Sequence, residues 1–214
     1  MQITKAEVTH VQIKLRQPVQ LAGMERIDQI TAIFVRLETR QGRNAWGCAV
    51  AHPGLTGEKP ADVLRACQEC AERVPSLHPT NIEYSLAELA SITAQTPSAL
   101  CAFDLALHDL LSLAADMPLY RLLGGYRNRI QTSITVPLAS VQESVEMAQE
   151  RAGRGFRMLK IKGGCDPAED VQRVKAIRRA LPEHILRLDA DGGYQVQDAL
   201  DVARSLQNEL EMIE

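Results

Sequence analysis

The stretch that decides the fold is residues 156–191, FRMLKIKGGCDPAEDVQRVKAIRRALPEHILRLDAD. It begins with a short run rich in apolar residues, FRMLKIK, and continues into a helical pattern over residues 167–180. A second apolar run, ILRLDAD, follows. A strand, a helix and a second strand in this order predict a βαβ unit with parallel strands.

The same alternation extends to both sides of this unit. Residues 128–214 predict four strands and three helices, and the strand ends at Pro137, Lys162, Asp189 and Glu214 follow one another at intervals of 25, 27 and 25 residues. Such regular units are typical of a (β/α)8 barrel, although a doubly wound sheet also fits the pattern. A complete barrel needs about 250 residues, so we expect the chain to stop partway through its second domain.

The residues before this repeat have a different character. Runs rich in Val, Ile and Thr predict a small antiparallel meander, at residues 2–15, 29–39 and 44–51. Helical patterns follow at 60–74, 80–94 and 98–117, the second with Thr80 as its expected cap. We therefore predict an α/β protein with an α+β cap, in which residues 1–127 form the capping domain and residues 128–214 form strands 1–4 of a (β/α)8 (TIM) barrel.

The composition is that of an ordinary globular protein and excludes several classes of partner. Hydrophobic residues make up 45% of the chain, charged residues 24%, and the formal net charge is −3. There is no positive field to attract nucleic acid or anionic lipid, and aromatic residues, at 4%, are too few for base-stacking platforms. We recognise no signal peptide and no apolar run of membrane-spanning length. We therefore expect a cytoplasmic protein with a small-molecule partner.

The five cysteines do not indicate a disulfide framework, because their number is odd and the chain is not small. Cys67 and Cys70 form one CxxC on a predicted amphipathic helix. No second CxxC or nearby pair of histidines accompanies it, so we interpret the two residues as free thiols. A redox or zinc role remains the alternative.

Charged side chains occupy the predicted carboxyl ends of successive strands, which is the edge where barrel enzymes carry their active sites. Lys160 and Lys162 are two residues apart, so the period of a strand places both on one face. Asp189 ends the next strand, with Asp191 just beyond it, and Glu214 ends the one after. A buried parallel sheet normally avoids such charges.

These groups together suggest one class of chemistry. Two ammonium groups at close range lower each other's pKa, and a metal cation lowers it further, so that a lysine can act as a general base near neutral pH. The carboxylates of Asp189 and Glu214, in a site without His or Cys, suit Mg²⁺ better than zinc. A lysine would remove a proton next to a carboxylate, and the metal would stabilise the enediolate that forms.

Each of these features also has a simpler interpretation. A K-I-K sequence on an edge strand is a solvated face, and Asp189 or Asp191 would cap the helix that follows. It is the joint placement on successive strand ends that favours a functional site. The first strand of the predicted barrel, IQTSITVPL (residues 130–138), contributes Thr132 and Thr135 as candidate polar residues at this edge.

The order of these motifs resembles the enolase superfamily. An antiparallel cap and a helical segment precede PLYRLLGGYRNRIQTSITV (residues 118–136), and LKIKGG, LRLDADGGY and a terminal MIE follow. The nearest branch is that of mandelate racemase and muconate lactonizing enzyme. Within it, a threonine-rich first strand followed by K-x-K is most similar to dipeptide epimerases of the L-Ala-D/L-Glu type. The resemblance covers essentially the whole chain and implies an enolase-like N-terminal capping domain, a (β/α)8 barrel and Mg²⁺-dependent abstraction of the proton alpha to a carboxylate through an enediolate.

The resemblance also implies roles for individual residues. Lys162 matches the base that takes the α-proton, and Lys160 matches a residue that contacts the substrate carboxylate and helps to depress the pKa of the base. Thr135 matches a substrate-contacting threonine. Asp189 and Glu214 match the first two metal ligands. Loops at about 19–28 and 51–58 match the cap loops that close over the substrate.

The sequence departs from the family's pattern in two respects. The family usually has Asn two residues after the first metal ligand, whereas this chain has Asp191, which adds a negative charge beside the metal. The third metal ligand and a second lysine, acting on the opposite face of the substrate, would lie on later strands. We therefore expect the 214-residue chain alone to be inactive, and the intact protein to be an isomerase and a homo-oligomer.

Other activities remain open. Muconate cycloisomerase, o-succinylbenzoate synthase and N-acylamino acid racemase share the same lysines and metal ligands in this branch. A hypothesis of a different class is a truncated, non-catalytic α/β protein that binds a partner or self-associates through exposed strand edges.

Overall fold

The computed structural model describes all 214 residues, which divide into two compact units. The first unit comprises Met1–Arg16 and Asp28–Asn128, and the second comprises Gln17–Ile27 and Arg129–Glu214. The domain limits of 1–127 and 128–214 stay a prediction, and we describe each compact unit by itself.

The first sheet contains three strands in the order β1-β2-β3. Their bounds are Ile3–Val19, Ile27–Thr39 and Asn44–Ala51. β2 and β3 pair antiparallel from Thr31 opposite Ala51 to Glu38 opposite Asn44. The turn between them uses Gly42, whose φ of +76° lies in the region that favours glycine. β1 continues to Val19 and is longer than the predicted strand 2–15.

Five helices follow this sheet. They are α1 Pro53–Thr56, α2 Pro60–Arg73, α3 Ile82–Ala90, α4 Pro97–Ala115 and α5 Leu119–Leu122, with a 3₁₀ turn at Val74–Ser76 after α2. The predicted cap at Thr80 is wrong, because Asn81 occupies the N-cap position of α3. The Thr80 hydroxyl lies instead 3.1 Å from Nδ1 of His78.

Helix α4 packs directly on strand β3. A Cβ atom on Gly47 would lie 1.8 Å from the main-chain oxygen of Ala102, so only glycine permits this approach. Phe103, Leu107 and Leu110 of α4 are fully buried in the hydrophobic core of this unit. By length and composition α4 could also cross a membrane, contrary to the sequence prediction that no such segment exists. Its buried face identifies it as a core helix.

The second sheet contains four parallel strands in the order β4-β5-β6-β7. The strands are β4 Ile134–Val136, β5 Met158–Lys162, β6 Ile185–Asp189 and β7 Met212–Ile213, and the helices between them are α6 Val141–Gly153, α7 Pro167–Ala180 and α8 Val196–Leu206. The predicted βαβ alternation is therefore confirmed. The run IQTSITVPL, residues 130–138, predicts a longer first strand than the observed β4, and Thr132 precedes β4.

Local sequence signals fix where these helices begin. Ser140 and Glu143 form a capping box at the start of α6. The side chain of Asp166 accepts hydrogen bonds from the amides of Ala168 and Glu169, and Pro167 occupies the first turn of α7. These caps start α6 and α7 within five residues of the ends of β4 and β5.

Candidate active site

The pleat of β5 separates its apolar and charged residues. Leu159 and Ile161 are fully buried in the core of the second unit. Lys160 and Lys162 point to the opposite face, with side chains 24% and 15% exposed. The predicted placement of both lysines on one face is confirmed.

Asp189 joins the two lysines through a single oxygen atom. It is the last residue of β6 and lies beside Lys162 in the parallel register of β5 and β6. The ammonium nitrogens of Lys160 and Lys162 each lie 2.7 Å from Oδ2 of Asp189. The Asp189 side chain is only 6% exposed, so two ion pairs converge on a nearly buried carboxylate.

Two further carboxylates complete the cluster. Glu214 follows β7, and its side chain is 53% exposed. Its Oε2 lies 2.8 Å from Nζ of Lys160. Asp191 follows β6 with a φ of +49°, and its Oδ1 lies 2.7 Å from Nζ of Lys162. The Asp191 amide donates to Oδ1 of Asp189. The structure thus brings together Lys160, Lys162, Asp189, Asp191 and Glu214, and neither aspartate caps α8, whose N-cap residue is Gln195.

Thr135 is adjacent to this cluster but not bonded to it. It lies on β4 beside Lys160 in the parallel register, and its side chain is exposed. Thr132 lies before the strand, and its hydroxyl donates to the carbonyl of Ser133. Of the two threonines, only Thr135 lies in register with the charged strand ends.

The expectation of lowered lysine pKa values is wrong for this arrangement. Hydrogen bonds to Asp189 and Glu214 raise the pKa of Lys160. Burial lowers the pKa of Lys162, but hydrogen bonds to Asp189 and Asp191 outweigh it, so the pKa is raised. For Asp189, burial acts to raise the pKa, but the hydrogen bonds from the two lysines outweigh burial and hold the pKa below its ordinary value. The pKa values of the lysines are raised rather than lowered because carboxylates contact both ammonium groups. The prediction considered only the second ammonium group and a metal cation.

The carboxylates fit a hard cation in chemical type. Asp189 and Glu214 present oxygen ligands from neighbouring strand ends, and Oδ2 of Asp191 is buried without a hydrogen-bond partner. Oxygen ligands of this kind suit Mg²⁺. No group of three or more His, Cys, Asp or Glu side chains is arranged to hold a metal ion. The chain therefore offers two expected ligands and one unsatisfied oxygen beside them.

Sequence reasoning missed a buried polar group behind the lysines. Asp170 and Arg173 of α7 are each 1% exposed, and Tyr194 donates a hydrogen bond to Asp170. Helical spacing in the sequence could have predicted this buried pair, because Asp170 and Arg173 share the face of α7 that carries the buried Val174 and Ile177. A charged pair on an apolar helix face is unusual enough to mark a buried interaction.

The CxxC cysteines belong to the first compact unit. Cys67 and Cys70 are free and fully buried, and burial raises the pKa of Cys67 to about 12 and that of Cys70 to about 11. Thiols with such pKa values are unreactive at neutral pH. The interpretation of the CxxC as two free thiols agrees with this environment.

Comparison with known families decides the family of the chain. Residues 3–124 match the model of the mandelate racemase/muconate lactonizing enzyme N-terminal domain, and residues 143–214 match the model of the enolase C-terminal domain-like family. The chain belongs to the mandelate racemase/muconate lactonizing enzyme family. The predicted resemblance is therefore confirmed.

Similar members of this family include epimerases. The hydrophobic dipeptide epimerase of Enterococcus faecalis is 34% identical over all of this chain and 61% of that protein. The L-Ala-D/L-Glu epimerase of Clostridium acetobutylicum is 29% identical over 97% of this chain and 59% of that protein. The chain thus spans about three-fifths of the length of these relatives.

A solved structure confirms the fold. The crystal structure of the dipeptide epimerase from Enterococcus faecalis, complexed with Mg and the dipeptide L-Leu-L-Tyr, has a TM-score of 0.95 and 33% sequence identity to this chain. The similarity covers 100% of this chain and 60% of that one. An enolase-like cap followed by part of a (β/α)8 barrel is therefore the correct description of this mandelate racemase/muconate lactonizing enzyme family member.

Proposed function

We propose that the intact protein abstracts the proton alpha to a carboxylate with the aid of Mg²⁺, and that its reaction is the epimerisation of a dipeptide. The observation that carries this proposal is the meeting of two ammonium groups with Asp189 and Glu214 at the carboxyl ends of three adjacent parallel strands. Barrel enzymes place their chemistry at this edge. A purely structural sheet end has little use for four such charges.

Within this proposal, Lys162 is the base and Lys160 binds the substrate carboxylate. Lys162 has the less exposed side chain of the two, and its burial already acts to lower its pKa. The hydrogen bonds to Asp189 and Asp191 retain its proton, so Lys162 must leave these partners before it can accept a proton from a substrate. Lys160 has the more exposed ammonium group, and Thr135 lies beside it on β4 as a further substrate contact.

Asp189 and Glu214 are the residues that would hold Mg²⁺, with Asp191 adjacent. When bound, Mg²⁺ supplies positive charge that stabilises the enediolate oxygens. Asp189 is held in place for this role by the pairing of β5 with β6 and by the amide of Asp191, which donates to its Oδ1. Asp191 adds a negative charge, which favours a cation at this position.

The choice of a dipeptide as substrate follows from the names of the relatives. One is a hydrophobic dipeptide epimerase and another an L-Ala-D/L-Glu epimerase, so the side chains that they accept differ. We therefore propose that the substrate is a dipeptide, and L-Ala-L-Glu is the first substrate to assay. A homo-oligomeric state and a cytoplasmic location remain predictions.

The test is proton exchange by the full-length gene product that contains this chain. The protein is incubated with Mg²⁺ in D₂O, and loss of the α-proton signal is followed by NMR for L-Ala-L-Glu, L-Leu-L-Tyr and an N-acylamino acid. We expect exchange with at least one of the dipeptides and loss of that exchange when EDTA is added.

The other outcomes separate the alternatives. Exchange with the N-acylamino acid alone would replace the dipeptide by that substrate class and leave the chemistry intact. No exchange with any of the three, in a protein that unfolds cooperatively, would overturn the epimerase proposal. It would leave muconate cycloisomerase, o-succinylbenzoate synthase and a non-catalytic protein as the alternatives.

A further inference from the structure

A buried carboxylate lies directly behind the strand that carries the lysines. Oδ2 of Asp170 accepts a hydrogen bond of 2.7 Å from the amide of Gly164, two residues after Lys162. Arg173 donates through Nη2 to the carbonyl oxygen of Lys162 at 2.7 Å and also to Oδ1 of Asp170. The end of β5 is thus held on both sides of Gly163 by two residues of α7.

The same carboxylate also holds the segment that follows β6. The hydroxyl of Tyr194 donates to Oδ2 of Asp170, the atom that also binds the Gly164 amide. Tyr194 closes the short segment after Asp189, which contains Asp191. Asp170 therefore connects the main chain after the lysines with the main chain after Asp189.

The two segments also approach each other more closely than side chains would allow. A Cβ atom on Gly193 would lie 2.2 Å from the carbonyl oxygen of Gly164, and one on Gly164 would lie 2.1 Å from that of Ala190. Glycine at both positions lets the segments meet main chain to main chain. The hydrogen bonds of Asp170 act across this contact.

Stability alone is a weak reason for this arrangement. Asp170 and Arg173 are each 1% exposed, and Nε and Nη1 of Arg173 are buried without a partner. Burying an ion pair removes hydration that its mutual attraction barely restores, and apolar residues of similar volume are often at least as stable. Directional hydrogen bonds to Gly164 and to the carbonyl of Lys162 instead fix the main chain at one position.

We propose that Asp170, Arg173 and Tyr194, which we call the Asp170 cluster, are positioning residues for the proton transfer. They act through the main chain of Lys162 and of the segment after Asp189, and set the distance between the base and the residues around Asp189. This inference rests on the proposed function. Displacing reacting groups by about 1 Å costs on the order of 100-fold in rate, so loosening the cluster lowers kcat while substrate binding is retained.

The test uses two mild substitutions in the full-length protein. Tyr194→Phe removes only the hydroxyl. Arg173→Lys keeps the charge but replaces the planar guanidinium, whose Nη2 donates to both Asp170 and the carbonyl of Lys162, by a shorter side chain that ends in a compact ammonium group. Arg178→Lys is the matched control, because Arg178 is on the same helix and also binds carbonyls, those of His184 and Glu209, before β6 and β7 rather than after them. We expect kcat to fall about 10- to 100-fold in both test variants, with KM changed less than about twofold, and kcat to be unchanged in the control.

Amide hydrogen exchange supplies a second measurement that needs no substrate. We expect faster exchange at residues 162–164 in Arg173→Lys and at residues 190–194 in Tyr194→Phe, and no change at either segment in Arg178→Lys. Unchanged exchange and unchanged kcat in both test variants would overturn the inference. Equal losses of kcat in the control and the test variants would reduce the cluster to a stabilising role.

The two measurements separate this inference from the proposed function. If the wild-type protein exchanges no substrate proton, the proposed function fails, and with it the catalytic part of this inference. Amide exchange then still decides whether the cluster holds the two segments. If the wild type is active and both variants keep its kcat, the proposed function stands and the positioning role is wrong.

Discussion

The ammonium nitrogen of Lys162 lies 2.7 Å from Oδ2 of Asp189, its neighbour across the parallel pair of β5 and β6. Lys160 reaches the same oxygen at the same distance. The residue proposed as the base is thus bonded to the residue proposed as the first metal ligand. The two lysines balance part of the charge of Asp189, Asp191 and Glu214. In the proposed site, Mg²⁺ and the two ammonium groups would therefore compete for the same oxygens.

The first prediction concerns Mg²⁺ affinity. Asp189→Asn should weaken Mg²⁺ binding by at least about tenfold, because even residues that only contact a metal ligand contribute about 10- to 100-fold. Isothermal titration calorimetry measures the Kd. Asp201→Asn is the control, since Asp201 is an exposed carboxylate on α8. Equal Mg²⁺ affinities in the wild type and Asp189→Asn would remove Asp189 from the metal site.

The second prediction concerns stability in the absence of metal. Since the lysines hold the pKa of Asp189 below its ordinary value, its contribution is complete above an unfolded-state pKa of about 4 and is lost as the pH falls through the lower folded-state pKa. The raised pKa values of Lys160 and Lys162 give a contribution that is complete below about pH 10 and lost as the pH rises through the folded-state pKa values.

Urea unfolding in EDTA tests this dependence. Asp189→Asn should lower the free energy of unfolding by about 1–3 kcal/mol, the typical contribution of charged hydrogen bonds. The difference from the wild type should be constant from about pH 5 to pH 9 and shrink below about pH 4. A difference that already disappears between pH 5 and pH 7 would contradict the assigned direction of the Asp189 pKa.

The third prediction concerns the contact between the segments after β5 and β6. Gly193→Ala should destabilise the protein by about 1–3 kcal/mol, because the added Cβ meets the carbonyl oxygen of Gly164 at 2.2 Å. Gly153→Ala on α6 is the control, since nothing lies within 4 Å of its added Cβ. It should be neutral or stabilise the helix by up to about 1 kcal/mol. Thermal and urea unfolding measure both effects, and an equal response of the two variants would argue against the close contact.

Much of the second unit could be predicted because its signals are local. The period of two in residues 158–162 places Lys160 and Lys162 on one face, and spacing alone aligns Asp189 and Glu214 at the same edge. The resemblance of the ordered motifs then gave the family. Helix bounds were less accurate where capping decides them, as at Thr80, which is not the cap of α3.

Other features depend on contacts between residues that are distant in the sequence. The raised pKa values of the lysines follow from ion pairs with Asp189, Asp191 and Glu214, which appear only once the strands are in register. The Asp170 cluster includes Tyr194, which lies 24 residues further along the chain than Asp170. No local pattern in the sequence shows that the carboxylate of Asp170 accepts hydrogen bonds from both the amide of Gly164 and the hydroxyl of Tyr194.

The most direct test of the central claim is stereospecific proton exchange by Lys162→Ala in the full-length protein. α-Proton exchange into D₂O is measured by NMR with Mg²⁺, starting separately from L-Ala-L-Glu and L-Ala-D-Glu, with Lys175→Ala as the control because Lys175 is exposed on α7. The account predicts that Lys162→Ala loses about 10²- to 10⁴-fold of the exchange rate from one of the two epimers, the usual contribution of a positioned base, while the control keeps the wild-type rate. An unchanged exchange rate from both epimers in Lys162→Ala would contradict the assignment of Lys162 as the base.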